Sequence, residues 1–383
     1  MLKKNLLLLL LILVIFSQIT FAEDTFAPKI IGFASGNAHS LFLKNDYTVW
    51  TCGANSNGEL GIGSTEGSTV PVQIPTLNNV LQIAAYESYN LALKNDGTVW
   101  AWGSLNGVLT DSEKILSPIQ IKELSDIIQI VVGSEFCLCL KKDGTVWGWG
   151  KGEQGQLGLA VTNYSNTPVQ IKELINVVVI GAGYAHGLAL LKDGTVWAWG
   201  QNGHGELGNG TIDLDTRKTH PKPMQVKNLT DVQAIYPYGY ANFVIKKDGT
   251  VWCWGFNSSK SNRLGIGTND DVSMPVQIKG ITDIVEIQVG NGHCFAYKND
   301  YTIYSWGRDN FLGLLAINNN TNPQPTPVEA DAISGVPMLF KGSSWCFALD
   351  WDNNLYAWGF NEHGQLGIGN YSDTWPPKIV PNF

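Results

Sequence analysis

Few side chains in this 383-residue chain sit in patterns able to do chemistry, and each pattern points to a different reaction. His39, His186 and His293 each follow a short turn, and imidazoles brought together would shuttle protons near neutral pH. They belong to well-separated segments, so they read as structural hydrogen-bonding residues. Gly203-His-Gly-Glu-Leu-Gly208 and Gly150-Lys-Gly-Glu-Gln-Gly155 satisfy Gly-x-Gly-x-x-Gly, the loop whose backbone can approach a dinucleotide pyrophosphate. That chemistry needs a parallel strand before the loop and a helix after it, and neither stretch has them. Asp213-Leu-Asp215 offers two hard oxygen donors of the kind calcium takes, but alone it reads as a solvated loop. There is no Gly-x-Ser-x-Gly elbow, His-Glu-x-x-His helix, Cys-x-x-Cys pair or paired-carboxylate motif. The sequence therefore supports no catalytic residue, no cofactor and no metal site, and the expectation is a protein that is not an enzyme.

A fourth pattern suits binding. Tyr86-Glu87-Ser-Tyr89, Glu135-Phe136, Tyr184, Tyr238-Gly-Tyr240 and Trp345 place aromatics and carboxylates in five turns that precede the same kind of apolar strand. Gathered on one surface, they would make a protein-binding hot spot, because rigid rings remove much apolar area at small entropic cost. The competing reading is that they plug a channel or pack inside.

What positions those turns is a repeat. Lys-Asp-Gly-Thr-Val-Trp-Ala-Trp-Gly at residues 192–200 recurs seven times with variations, its first aromatic falling at Trp50, Trp100, Trp147, Trp197, Trp252, Tyr304 and Tyr356. Spacings of 50, 47, 50, 55, 52 and 52 residues give one supersecondary unit per period. In each unit two apolar runs flank Asp-Gly or a relative of it, which predicts a β-hairpin. Asp46-Tyr47 and Asp300-Tyr301 carry a bulkier second residue and predict another turn type. A β-branched stretch precedes each hairpin, and a Gly-rich loop with an extended Pro-containing segment follows, so each unit offers about four short strands.

Alternation puts Trp197 and Trp199 on one face of their strand and Val196 and Ala198 on the other. A sheet apolar on both faces must be covered twice, which like units achieve when each bulky face packs on the next unit's small one. Arranged around an axis, four-stranded units of this kind form a seven-bladed β-propeller. An open solenoid would have shorter coils and special caps.

The loop Gly359-Phe-Asn-Glu-His-Gly-Gln-Leu-Gly367 and the stretches Phe33–Leu43 and Ile180–Leu190, with their Gly-x-x-His, resemble the regulator of chromosome condensation repeat family. The resemblance spans about residue 30 to the C-terminus. It implies a seven-bladed β-propeller as one domain over residues 23–383. Unit two (Gly103-Ser-Leu-Asn-Gly-Val-Leu-Thr), unit six (Arg308-Asp-Asn-Phe-Leu-Gly313) and the long connector 211–223 depart from the family loop. Founding members of the family exchange guanine nucleotides on a small GTPase, and that activity stays open here as the alternative. An exported bacterial branch includes a β-lactamase inhibitory protein that covers an enzyme with aromatics from one propeller face.

Lys3 and Lys4, an apolar run over Leu6–Phe16 and Thr20-Phe-Ala22 have the form of a secretory signal cleaved after Ala22, giving residues 1–22 as signal peptide and a secreted or periplasmic protein. The run is too short to span a bilayer. With 25 basic against 33 acidic residues the formal charge is −8, which repels phosphate backbones and argues against nucleic acid. The partner expected is another protein, bound by a monomer. Of six cysteines, Cys294 and Cys346 hold the same place in consecutive units, so a disulfide between them remains an alternative to buried free thiols.

Overall fold

The computed structural model describes residues 29–383 except 105–107, 109–113, 160–163, 216–217, 259–262, 309–310, 319–322 and 382; residues 1–22, expected to be a signal peptide, lie outside the described residues. Twenty-eight strands form seven four-stranded sheets, and in every sheet sequential strands are antiparallel neighbours. These are seven blades, I to VII, spanning residues 30–73, 80–121, 127–170, 177–225, 232–277, 284–329 and 338–379. Apart from two single-turn 3-10 segments, Phe311–Gly313 and Asp331–Ile333, the described residues contain no helix, and none long and apolar enough to cross a membrane.

Blade IV shows how the repeat becomes a blade. Its strands are Val177–Ala182, His186–Leu191, Val196–Gly200 and His220–Gln225. Between the second and third, Gly194 N–H donates to Leu191 O at 2.9 Å and Leu191 N–H to Thr195 O at 2.9 Å. Gly194 takes φ +85°, a left-handed residue closing a three-residue loop. Asp193 Oδ1 accepts from both the N–H and the hydroxyl of Thr195, at 2.9 and 2.7 Å. Tyr47 and Tyr301, where another turn was expected, have φ 64° and 65° and close the same loop. The Asp–Thr bonds, present at Asp46 and Thr48 too, hold the turn firmly enough for a tyrosine to accept the glycine conformation.

The indoles do what the alternation predicts. Trp199 packs among Leu138, Leu140, Val146 and Ile171 of blade III, while Val196 and Ala198 of the same strand lie with Trp254 of blade V. Burying one such ring against a neighbour stabilises by a few kcal/mol, about 25 cal/mol per Å² of apolar surface. Seven such clusters encircle the axis. The ring shuts without exchanging a strand: Phe42 and Cys52 of blade I pack with Phe347 and Leu366 of blade VII. Trp345 Nε1 donates to Ser40 Oγ at 2.9 Å, and Ser40 Oγ to Gln365 O at 2.8 Å. All six cysteines are buried and unbridged, so the Cys294–Cys346 disulfide is absent and the free-thiol reading holds.

Candidate binding face and central channel

The turn between first and second strands of each blade emerges beside the loop that follows the third strand. In all seven blades the residue after the glycine that ends the third strand donates its N–H to the last residue of that turn, as in Lys151 to Glu135 O at 2.7 Å and Phe256 to Tyr240 O at 3.0 Å. The face is therefore paved by six side-chain pairs, Gly292 of blade VI having no side chain to set beside Arg308. Ala38 with Ala54 and Ser88 with Ser104 are small; Glu135 with Lys151 is an ion pair at 2.9 Å; Tyr240 with Phe256 is aromatic.

Around the last pair an aromatic cluster spans blades IV and V. Tyr184, 37% exposed, lies 4.8 Å from Tyr240 between ring centroids. His204, from the Gly-rich loop of blade IV, sits edge-on at 5.2 Å from Tyr240 and 4.6 Å from Phe256. Its Nδ1 is 2.7 Å from Asp271 Oδ2, whose other oxygen accepts from Asn257 N–H at 2.7 Å. Beneath, Glu206 is fully buried; one carboxyl oxygen accepts from His204 N–H at 2.8 Å and the other has no partner among the described residues. Burial pushes the Glu206 carboxyl up to about 7.

The nine residues nominated from sequence divide three ways. Tyr184 and Tyr240 are brought together on the face, and Glu87 and Glu135 flank them at half-buried rim positions, Glu87 accepting from Ser134 Oγ at 3.1 Å. Tyr86 and Tyr238 turn inward and line the central channel. Tyr89, Phe136 and Trp345 are corrected: at 2%, 0% and 1% exposure they are core, because their position opens the second strand and faces the neighbouring blade. Tyr89 hydroxyl, for example, donates to Gly133 O at 2.6 Å in blade III. The sequence reading missed His204, Phe256 and Asp271. Aligning the units on their closing glycines gives a partial signal, since Phe256 stands where other units have Ala54, Ser104, Lys151, Gln201 and Arg308, while unit seven has Phe360 there too.

His39 and His186 take the structural hydrogen-bonding role expected of them, whereas the one hydrogen-bond partner of the His293 ring among the described residues is Cys346 Sγ, 3.5 Å from its Nε2. His39 Nε2 lies 2.6 Å from Asn90 Oδ1 and His186 Nε2 2.8 Å from Asn242 Oδ1. Each asparagine donates its amide to a carbonyl of the preceding loop, which fixes its orientation and makes histidine Nε2 the donor. Burial pushes His186 down to about 4, keeping it neutral. The Gly-x-Gly-x-x-Gly loops serve the core likewise: Gln156 O and Glu206 O accept the indole N–H of Trp199 and Trp254, both at 2.8 Å. Asp213 spends its carboxylate on Lys218, His220 and Asn202, and no group of metal-ligating side chains is assembled among the described residues.

First strands surround a channel of about 270 Å³. Its wall is uneven: Ala34, Ala84 and Gly181 are small, whereas Tyr236, Glu286 and Lys341 are polar. Gln288 donates to Glu286, whose carboxyl burial pushes up to about 7.

A profile described as the RCC1-like domain matches residues 19–233 and 107–383. The chain belongs to the RCC1-like domain family. Among curated relatives, this RCC1-like chain is 28% identical over 179 residues to the ultraviolet-B receptor UVR8 of Arabidopsis thaliana, covering 45% of this chain and 40% of that protein. It is 31% identical over 153 residues to the probable E3 ubiquitin-protein ligase HERC6 of Homo sapiens, covering 39% and 15%. It thus spans less than half the length of these relatives. Among solved structures it is similar to Prp20p of Saccharomyces cerevisiae, at TM-score 0.71 and 24% identity over 82% of this chain and 81% of that one. Human WBSCR16 aligns at TM-score 0.73 and 20% identity over 87% and 93%. These structural likenesses concern the fold.

Proposed function

We propose that this RCC1-like ring is an exported protein-binding module that covers its partner, inhibitor-fashion, with the face centred on Tyr184, Tyr240 and Phe256. The observation that carries the reading is the aromatic cluster across blades IV and V, ringed by Glu135, Lys151 and Asp271. Such a patch, apolar at the centre and charged at the rim, has the anatomy of an interface hot spot. A solved structure with the same fold, yeast RCC1 (Prp20), has been crystallised with Kap60 bound to it. Residues 1–22 supply the export signal in this reading, and mass spectrometry of the native protein should find a mature chain starting at Glu23.

The test uses the repeat's own vocabulary. Tyr184→Asn, Tyr240→Ser and Phe256→Ser install residues that Asn37, Ser88 and Ser104 already carry at the matching positions, so the triple variant should keep its melting temperature. A photo-crosslinking residue at position 184 should trap one partner in the exported fraction, and one at Lys192, on the opposite face, should not. The triple variant should lose that partner at least tenfold. Equal trapping at both positions, or unchanged affinity in the variant, would remove the face from function. Faster guanine nucleotide release from a small GTPase on adding the pure protein would instead favour an exchange factor.

A further inference from the structure

Two cations stand where the repeat elsewhere places neutral or acidic residues. Arg263 occupies the loop position filled by Glu59, Gln156, Glu206 and Gln365 in other blades; those side chains accept a backbone N–H two residues earlier. The arginine keeps the backbone part of the role, Trp306 Nε1 donating to Arg263 O at 2.8 Å. Its guanidinium serves something else. It is 6% exposed, reaches Asn291 Oδ1 at 3.3 Å, and leaves Nε without a partner among the described residues. Lys341 occupies the first-strand position held by Ser35, Ala85, Val132, Ala182 and Val289 in other blades, and lines the channel. Its ammonium lies 3.8 Å from the ring centroid of Tyr238.

Both groups converge on the turn Tyr238-Gly239-Tyr240. A methyl group added to Gly239 would come within 2.7 Å of an Arg263 guanidinium nitrogen, and Gly239 itself lines the channel beside Lys341. The two charges repel: burial pushes the Lys341 ammonium down to about 7, and Arg263 acts in the same direction. Neither is in an ion pair among the described residues. A buried guanidinium costs several kcal/mol unless an anion or good hydrogen bonds offset it. In a chain of formal charge −8, carboxylates are plentiful, yet among the described residues none pairs with either cation, and Glu286, which lines the same channel, forms no ion pair with them. We infer that the channel mouth beside blades V to VII is a binding site for a small oxyanion, a carboxylate or phosphate, held between Arg263 and Lys341 with its remaining atoms in the channel. A planar guanidinium suits a two-oxygen acceptor, and the ammonium adds a point charge. The site adjoins the Tyr184–Phe256 cluster through the turn that carries Tyr240, but Arg263 and Lys341 are not residues of the proposed protein-binding face, so substituting them tests the anion site by itself.

Calorimetry and thermal melting of the full mature chain with sodium benzoate, inorganic phosphate and, at matched ionic strength, sodium chloride test it. Benzoate or phosphate should bind saturably at one site and raise the melting temperature, benzoate alone marking a small carboxylate with an apolar body and phosphate alone an inorganic oxyanion. Arg263→Gln and Lys341→Ser, which restore residues found in other blades, should each weaken binding at least tenfold. Without anion, Arg263→Gln should melt at or above the parent, because it removes a buried charge that has no ion pair among the described residues, and half-buried Lys341→Ser should melt close to the parent. Stabilisation no greater than chloride gives, unaltered affinity in both variants, or an anion-free Arg263→Gln variant that melts below the parent would each overturn the assignment.

Discussion

The interface between blades IV and V and the one between VI and VII bury the same kind of surface and treat their polar atoms differently. At the first, Trp254 packs on Leu188, Val196 and Leu207, its indole bonds to Glu206 O at 2.8 Å, and Asn242 links His186 to that same carbonyl. At the second, Trp358 packs as fully among Leu314, Ala316 and Ala330. Its indole N–H and the Tyr297 hydroxyl nevertheless find no partner among the described residues, whereas His186 Nδ1 at the first interface and His293 Nδ1 at the second are alike in having none. Trp149, which follows divergent blade II as Trp358 follows divergent blade VI, is in the same condition. Apolar burial holds the ring shut everywhere, whereas the polar bonds come from the Gly-rich loop, and where that loop departs from the repeat none is found for the indole among the described residues. A net hydrogen bond contributes only about 1 kcal/mol, so two interfaces can forgo one.

The largest effect should be common to both regions. Trp254→Ala and Trp358→Ala should each cost about 3–5 kcal/mol by leaving a cavity, read from denaturant midpoints; a mild loss at either site would mean the ring collapses inward there. Next, the interface with the buried acid should be the pH-sensitive one. Because Glu206 is pushed up to about 7 in the fold from an ordinary 4.5, the neutral acid is favoured. Its contribution is complete below pH 4.5 and lost as pH rises through about 7, a change of up to roughly 3 kcal/mol at 1.36 kcal/mol per unit. Glu206→Gln, the residue at Gln156 and Gln365, should reduce the slope of melting temperature against pH between 4.5 and 8 without abolishing it, because Glu286 is pushed up to about 7 as well, and an unchanged slope would show that Glu206 does not titrate. The smallest effect sharpens the contrast most. Trp254→Phe should cost about 1–2 kcal/mol more than Trp358→Phe, since only the former strands a buried carbonyl; equal costs would mean that the indole bond contributes nothing.

Much of this was legible in the chain. Period, hairpin and alternating Trp-x-Trp give blades, their number and the sense in which they stack, because each follows from local backbone preference and the two faces of a strand. The candidate site was legible only in part. Tyr86, Tyr89, Tyr184 and Tyr240 look alike in sequence, yet a step of one residue along a turn decides whether a ring meets solvent, the channel or the next blade. Tyr89 entered the core because its position opens a strand that packs against blade III. Phe256 and His204 joined Tyr240 although they come from loops that motif reading had assigned to the repeat alone.

From its residue order by itself, this chain determined a ring of seven four-stranded blades, since hydrophobic period and turn chemistry act over a few residues at a time. Only tertiary structure decided which departures from the repeat matter. Arg263 and Lys341, 78 residues apart in sequence, both reach the turn Tyr238-Gly239-Tyr240, Arg263 beside Gly239 and Lys341 over the Tyr238 ring, because closing the ring brings a loop of blade V and a first strand of blade VII to that turn. Whether a buried charge has a partner is settled by that juxtaposition, which no local pattern encodes.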